Sequence, residues 1–87
     1  MKYKLNETIS FNVIRSEGNI DRASDQAIKI ARDLFGVDEC GHFDNVEGAS
    51  RSDSTIEIRL TDYWILGGMR GWDHVYQFEA MVNNTSR

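Results

Sequence analysis

Residues 20–36 read Ile-Asp-Arg-Ala-Ser-Asp-Gln-Ala-Ile-Lys-Ile-Ala-Arg-Asp-Leu-Phe-Gly. Ile20, Ala23, Ala27, Ile30, Ala31 and Leu34 recur at steps of three and four, the spacing of one face of an α-helix. Asn19 or Asp21 stands where an N-cap is wanted, and Gly36 stands where a helix stops. Asp25 and Lys29 add an i,i+4 ion pair in the favourable order. The alternating segments on either side of this one helix decide what it packs on.

Upstream, Tyr3, Leu5, Ile9, Phe11 and Val13 alternate with Lys4, Asn6, Thr8, Ser10 and Asn12, the pattern of a half-buried strand. Glu7 interrupts the apolar side, so the strand either bends there or begins outside the core. Ser16–Asn19 has turn composition. Downstream, a short strand is expected at His42–Val46, followed by a loop over Glu47–Asp53. Ile56, Ile58 and Leu60 then alternate with Glu57, Arg59 and Thr61. This strand runs on into Tyr63–Leu66, with a bulge near Asp62 that shifts the facing. Gly67–Gly71 makes a hairpin connection. Trp72, His74, Tyr76, Phe78, Ala80 and Val82 form the apolar side of the last strand, and a polar tail begins at Asn83. The expected fold is α+β, with one helix on a three- to four-stranded antiparallel sheet in the order β-α-(β)-β-β.

The chain has 87 residues, enough for a single domain, residues 1–87. Apolar residues are 40% and charged residues 28%, a globular balance, and the absence of proline excludes collagen-like and proline-rich classes. The longest apolar run, Tyr63-Trp64-Ile65-Leu66, is far short of the ~20 residues of a membrane span. The polar start Met-Lys-Tyr-Lys lacks the apolar core of a signal peptide. With one cysteine and no internal disulfide, a cytoplasmic protein is expected. A domain this small commits most side chains to one sheet and one helix, which leaves little interior for a deep substrate pocket.

No chemistry-bearing motif stands above its plainer reading. Cys40 and His42 lie in an acidic loop, but no CxxC or HxxxH spacing supports a metal. Cys40, His42 and His74 as nucleophile and base are outweighed by a small buried thiol. Gly67-Gly68-Met69-Arg70-Gly71 lies between two strands and lacks the helix N-terminus of a phosphate loop. No catalytic residue, metal or cofactor is expected, and the protein is not expected to be an enzyme.

Charge and aromatics point instead to a contact surface. Asp38, Glu39, Asp44, Glu47, Asp53, Glu57 and Asp62 face only Arg51 and Arg59 over residues 36–62. That is a local charge of −5 in a chain of net charge −4. Such a stretch suits a basic partner. Trp64 and Trp72 are its expected apolar anchors, because tryptophan is enriched where interfaces are strongest. Tyr76 and Phe78 are expected in the core. A base-stacking role for the aromatics is disfavoured by the acidic balance, so direct nucleic-acid binding is not expected.

An acidic, cysteine-poor single domain with the strand Tyr3–Val13, a helix carrying Ala23, Ala27 and Ala31, and a terminal hairpin around Gly67–Gly71 resembles small phage- or mobile-element-encoded inhibitors, of which anti-CRISPR proteins are the best-known group. The resemblance implies a non-enzymatic inhibitor that covers a basic surface of a host protein or ribonucleoprotein complex in host defence, as a nucleic-acid mimic in the host cytoplasm, without a membrane. The alternative is a small regulatory domain binding a metal or small molecule through the Cys40–His42 loop.

Overall fold

The computed structural model describes residues 2–49, 54–69 and 71–84. In chain order they form β1 (Tyr3–Lys4), β2 (Ile9–Arg15), α1 (Ile20–Phe35), β3 (Val46–Glu47), β4 (Ser54–Gly68) and β5 (Gly71–Asn84). The architecture is α+β. One helix covers a three-stranded antiparallel sheet of order β2-β5-β4, and β1 and β3 form a separate parallel pair.

Two sequence expectations change here. The first strand does not run from Tyr3 to Val13 but breaks at Leu5–Asn6. Asn6 takes the left-handed conformation (φ 65°), and Glu7 closes the turn by donating its amide to Lys4 while its carboxylate accepts the Lys4 amide. Glu7 interrupts the apolar pattern because it builds the break. The short strand expected at His42–Val46 lies instead at Val46–Glu47, so Glu47 is strand rather than loop. It pairs parallel with β1 and adds no fourth antiparallel strand.

The helix runs over the expected residues. The Asn19 side chain accepts the Arg22 amide at its start. At its end Gly36 adopts φ 68°, a conformation that costs a side-chain-bearing residue about 1–2 kcal/mol. Its buried stripe is Ala23, Ala27, Ala31 and Phe35. The spacing also assigns Leu34 and Ile20 to this stripe, yet both are partly exposed. The alanines let the backbone approach the sheet closely, so the fully buried contact is one straight i,i+4 row, with Ile30 packed partly buried beside it. Leu34 stands about 100° around the helix from Phe35 and misses it.

The N-terminal half of the helix packs with Val13, Tyr76 and Phe78, and its C-terminal half with Val46, Ala80 and Val82. Pairing registers place Val13, Tyr76 and Tyr63 in one row across the sheet, then Phe11, Phe78 and Leu60, then Ile9, Ala80 and Ile58. Residues paired in a row share a face, so these rows form the floor under the helix.

The bulge expected near Asp62 falls at Thr61, between Leu60↔Phe78 and Asp62↔Gln77. The Thr61 hydroxyl donates to the Gln77 carbonyl at 3.1 Å. From there on, Tyr63 and Ile65 face the helix side, while Asp62, Trp64 and Leu66 face the bare side. Among the described residues no helix is long and apolar enough to cross a membrane.

Candidate interaction site

β4 and β5 outrun everything that packs on them. The last three-stranded row is Arg15, His74 and Ile65. Beyond it the pairs Leu66–Asp73, Gly67–Trp72 and Gly68–Gly71 continue as a bare two-stranded arm. The molecule is accordingly elongated, 48 × 24 × 23 Å. Its apolar residues have no layer to enter: Trp72 is 66% exposed, Leu66 53% and Ile65 48%, and Met69 at the turn is fully exposed.

The two faces of this arm differ. On the helix side Trp72 lies across Gly67, where a Cβ would fall 2.5 Å from the indole Cζ3. Gly67 is the residue that lets the ring lie flat. Ile65, Trp72 and His74 line a shallow apolar recess there. On the bare side, just before the arm leaves the three-stranded sheet, Ile14, Val75 and Trp64 form one row. Val75 is only 2% exposed although no helix covers it, because its cross-strand neighbours enclose it. The sequence pattern put Val75 on the solvent side of β5; a two-sided apolar hairpin is what alternation alone does not reveal.

The base of the arm is braced by aromatics. The Tyr63 hydroxyl is 2.6 Å from His74 Nδ1, and the two rings stack with centroids 6.0 Å apart. Tyr63 also meets Tyr76 at 4.8 Å, and burial pushes the Tyr76 phenol above its ordinary pKa. Gly18, in the turn before the helix, admits the His74 ring: a Cβ there would stand 3.1 Å from Cε1.

The acidic stretch is divided. Asp38, Glu39 and Asp44 sit on the loop after α1, and Glu47 is exposed on β3. Glu57 and Asp62 project from the bare face of β4, and Asp53 lies outside the described residues. On the bare face Arg59 pairs with Glu79 at 2.5 Å, and Glu57 accepts from the Asn83 amide. The two predicted anchors also part company: Trp64 is half-buried on the bare side, and Trp72 is exposed on the helix side.

The Cys40–His42 loop is ordered by Asp38. One carboxylate oxygen accepts the amides of Cys40 and His42, each at 2.9 Å, and the other lies 3.1 Å from His42 Nδ1. These bonds, the His42 amide foremost, hold the Asp38 carboxyl below its ordinary pKa. Cys40 is exposed, not buried as the sequence suggested. The donor atoms of Asp38, Cys40 and His42 lie within 4.8 Å of one another. Oxygen, sulfur and nitrogen donors suit zinc chemically, yet the carboxylate is committed to shaping its own turn. His74 is engaged with Tyr63 near the start of α1, whereas this loop follows its end, so the Cys40–His42–His74 combination does not assemble.

Comparisons of this chain with protein-family models, with curated proteins and with solved structures gave no match.

Proposed function

We propose that this chain is a non-enzymatic binding protein that acts by covering a surface of a protein partner, with the hairpin arm as its anchor. The observation that carries this reading is the arm itself. Ile65, Leu66, Met69 and Trp72 are exposed within eight residues on a projection that the fold does not need for its core. Ile65 and Trp72 expose apolar surface on one face of the arm and Leu66 on the other, and exposed apolar surface gathered in this way marks a contact site. Trp72 over Gly67 is a rigid, preshaped anchor of the type that dominates binding energy.

The finer reading follows the charges beside the arm. Asp62 and Asp73 share the bare face with Trp64, Glu57 lies farther along that face toward Asn83, and the one described base of β4 there, Arg59, is paired with Glu79. A partner with an apolar cleft rimmed by lysine and arginine suits both features. A complex that handles nucleic acid carries such rims, so the proposed role is inhibition of such a complex, in the manner that the resemblance to anti-CRISPR proteins implies.

The test has two arms. A photo-crosslinking residue at Met69, with one at Lys29 on the helix as control, is used to capture the partner in host cells carrying a CRISPR system. The captured complex is then measured for nucleic-acid cleavage with and without the purified chain. Crosslinking specific to Met69, with binding that weakens as salt rises and cleavage that falls, is expected. Equal crosslinking at both positions would remove the arm as the anchor. Unimpaired cleavage by the captured complex would remove the inhibitor reading while leaving a binding protein.

A further inference from the structure

The outer edge of β4 is a second surface, separate from the arm. Among the described residues no strand pairs with it, although β4 is 15 residues long. Proteins usually blunt such an edge with proline, lysine or a β-bulge; β4 contains no proline or lysine, and its one bulge lies at Thr61, leaving the stretch before it regular. Its sequence over Thr55–Thr61 is Thr-Ile-Glu-Ile-Arg-Leu-Thr, which reads nearly the same in both directions about Ile58.

We infer that β4 pairs antiparallel with β4 of a second copy of this chain, on a two-fold axis through Ile58, joining two sheets into one of six strands. In this register Ile58 meets Ile58, Ile56 meets Leu60, and Thr55 meets Thr61. Glu57 meets Arg59 of the other copy, twice by symmetry. A two-fold interface is self-complementary in this sense, and opposite charges directly across a strand pair are stabilising where like charges are not.

Neighbouring registers lack this match. Centring on Glu57 or on Arg59 sets like charges against each other at the axis. Centring on Leu60 brings Ile58 opposite Asp62, which the Thr61 bulge has turned to the other face. The bulge thus also limits the ladder to Thr55–Thr61 and leaves both arms outside it.

The flanking surfaces agree with this pairing. On the helix side Ile28, Val37, Phe43, Ile56 and Ile58 border an open groove along the β4 edge. Leu60 of the second copy, itself 41% exposed in one chain, enters beside Ile56. On the bare face Arg59 already holds Glu79 at 2.5 Å. Its largely exposed guanidinium then lies between its own Glu79 and Glu57 of the second copy. Acidic and basic groups alternate across the joined edge.

The test is a charge-reversal exchange read by sedimentation velocity over a concentration series. The variants are Glu57→Arg, and Arg59→Glu combined with Glu79→Gln to avoid a new intrachain repulsion; circular dichroism checks that each is folded. The wild-type chain is expected to sediment as a dimer and each variant as a monomer. An equimolar mixture of the two variants is expected to recover the dimer, because every charged pair across the axis then again joins one base and one acid. A wild-type chain that stays monomeric throughout, or variants that remain dimeric alone, would overturn the pairing, as would a mixture that stays monomeric. Trp72→Ala separates the two surfaces: it should leave the dimer intact, and its loss would assign association to the arm instead.

Discussion

The hairpin β4–β5 is one continuous ladder with two fates. From Ser54 to Tyr63 and from Tyr76 to Asn84 it lies under the helix, and Tyr76, Phe78, Ala80 and Val82 are buried. From Trp64 to Val75 the same two strands carry residues just as apolar, and most remain in solvent. The covered half turns its apolar side chains into stability. The arm leaves its own exposed, as the proposed binding role requires, and removing one of them should cost the fold little.

The sharpest way to break this contrast is to attack the covered half. Ala27 is fully buried between the helix and the sheet, against Val13, Tyr76 and Phe78. Ala27→Glu would bury a carboxylate without a partner where no volume exists for it. A loss of about 3 kcal/mol or more is expected, read as a lowered urea midpoint with the slope unchanged. A stable Ala27→Glu protein would show that the helix is not seated on the sheet through its alanine row.

The arm should respond in the opposite sense. Trp72→Ala removes an exposed ring that packs chiefly on Gly67, so the unfolding free energy read from urea titration should change by about 0.5 kcal/mol or less. Partner affinity should fall by about 2 kcal/mol, roughly thirty-fold. Large destabilisation by Trp72→Ala would make the ring a structural element and erase the distinction between the halves. Unchanged affinity for a partner captured through Met69 would move the anchor elsewhere on the arm.

Val75 lies between the two regimes. It is enclosed by Ile14 and Trp64 on the bare face, with no second layer behind them. Val75→Ala should destabilise by about 1 kcal/mol, less than a deletion under the helix, because the open side can relax onto the smaller residue. A cost matching that of Phe78→Ala, about 3–5 kcal/mol, would mean that the row is a true second core.

How far the sequence could be read follows the same line. The helix, its Asn19 and Gly36 ends, the hairpin and the bulge near Asp62 were legible because each depends on local spacing and backbone chemistry. The parallel contact between Tyr3–Lys4 and Val46–Glu47 was not, since two-residue strands leave no period to detect. Trp72 stood out in the sequence as a candidate anchor, but the exposure of Ile65, Leu66 and Met69 beside it did not. Alternation says which residues share a face, and it is silent on whether a layer covers that face. The seven acids looked like one track because they are near in sequence. The sheet then separates the Asp38–Asp44 loop on the helix side from Glu57 and Asp62 on the other. The meeting of Asp38 with Cys40 and His42 could have been suspected from their i, i+2, i+4 spacing, which a tight turn brings together.

The smallest expected effect lies in that loop, far from both halves of the hairpin. Asp38 has its carboxyl pKa depressed in the folded chain by the amides of His42 and Cys40 and by the His42 ring. A depressed folded value means that the carboxylate contributes stability above the unfolded pKa, about 3.9, and that this contribution disappears as pH falls through the folded value. The group is exposed, so solvent screening keeps the contribution small. The amide resonances of Cys40 and His42 should therefore titrate together, with a midpoint below the ordinary aspartate range, while resonances of the arm stay fixed. Asp38→Asn retains an oxygen to accept the two amides but removes the charge, so both resonances should lose this titration with little change in overall stability. It should also leave partner affinity unaltered, because the arm and the bare face of β4 do not depend on this loop. A fall in affinity for Asp38→Asn comparable to that for Trp72→Ala would bring the acidic loop back into the interface and break the assignment of binding to the arm.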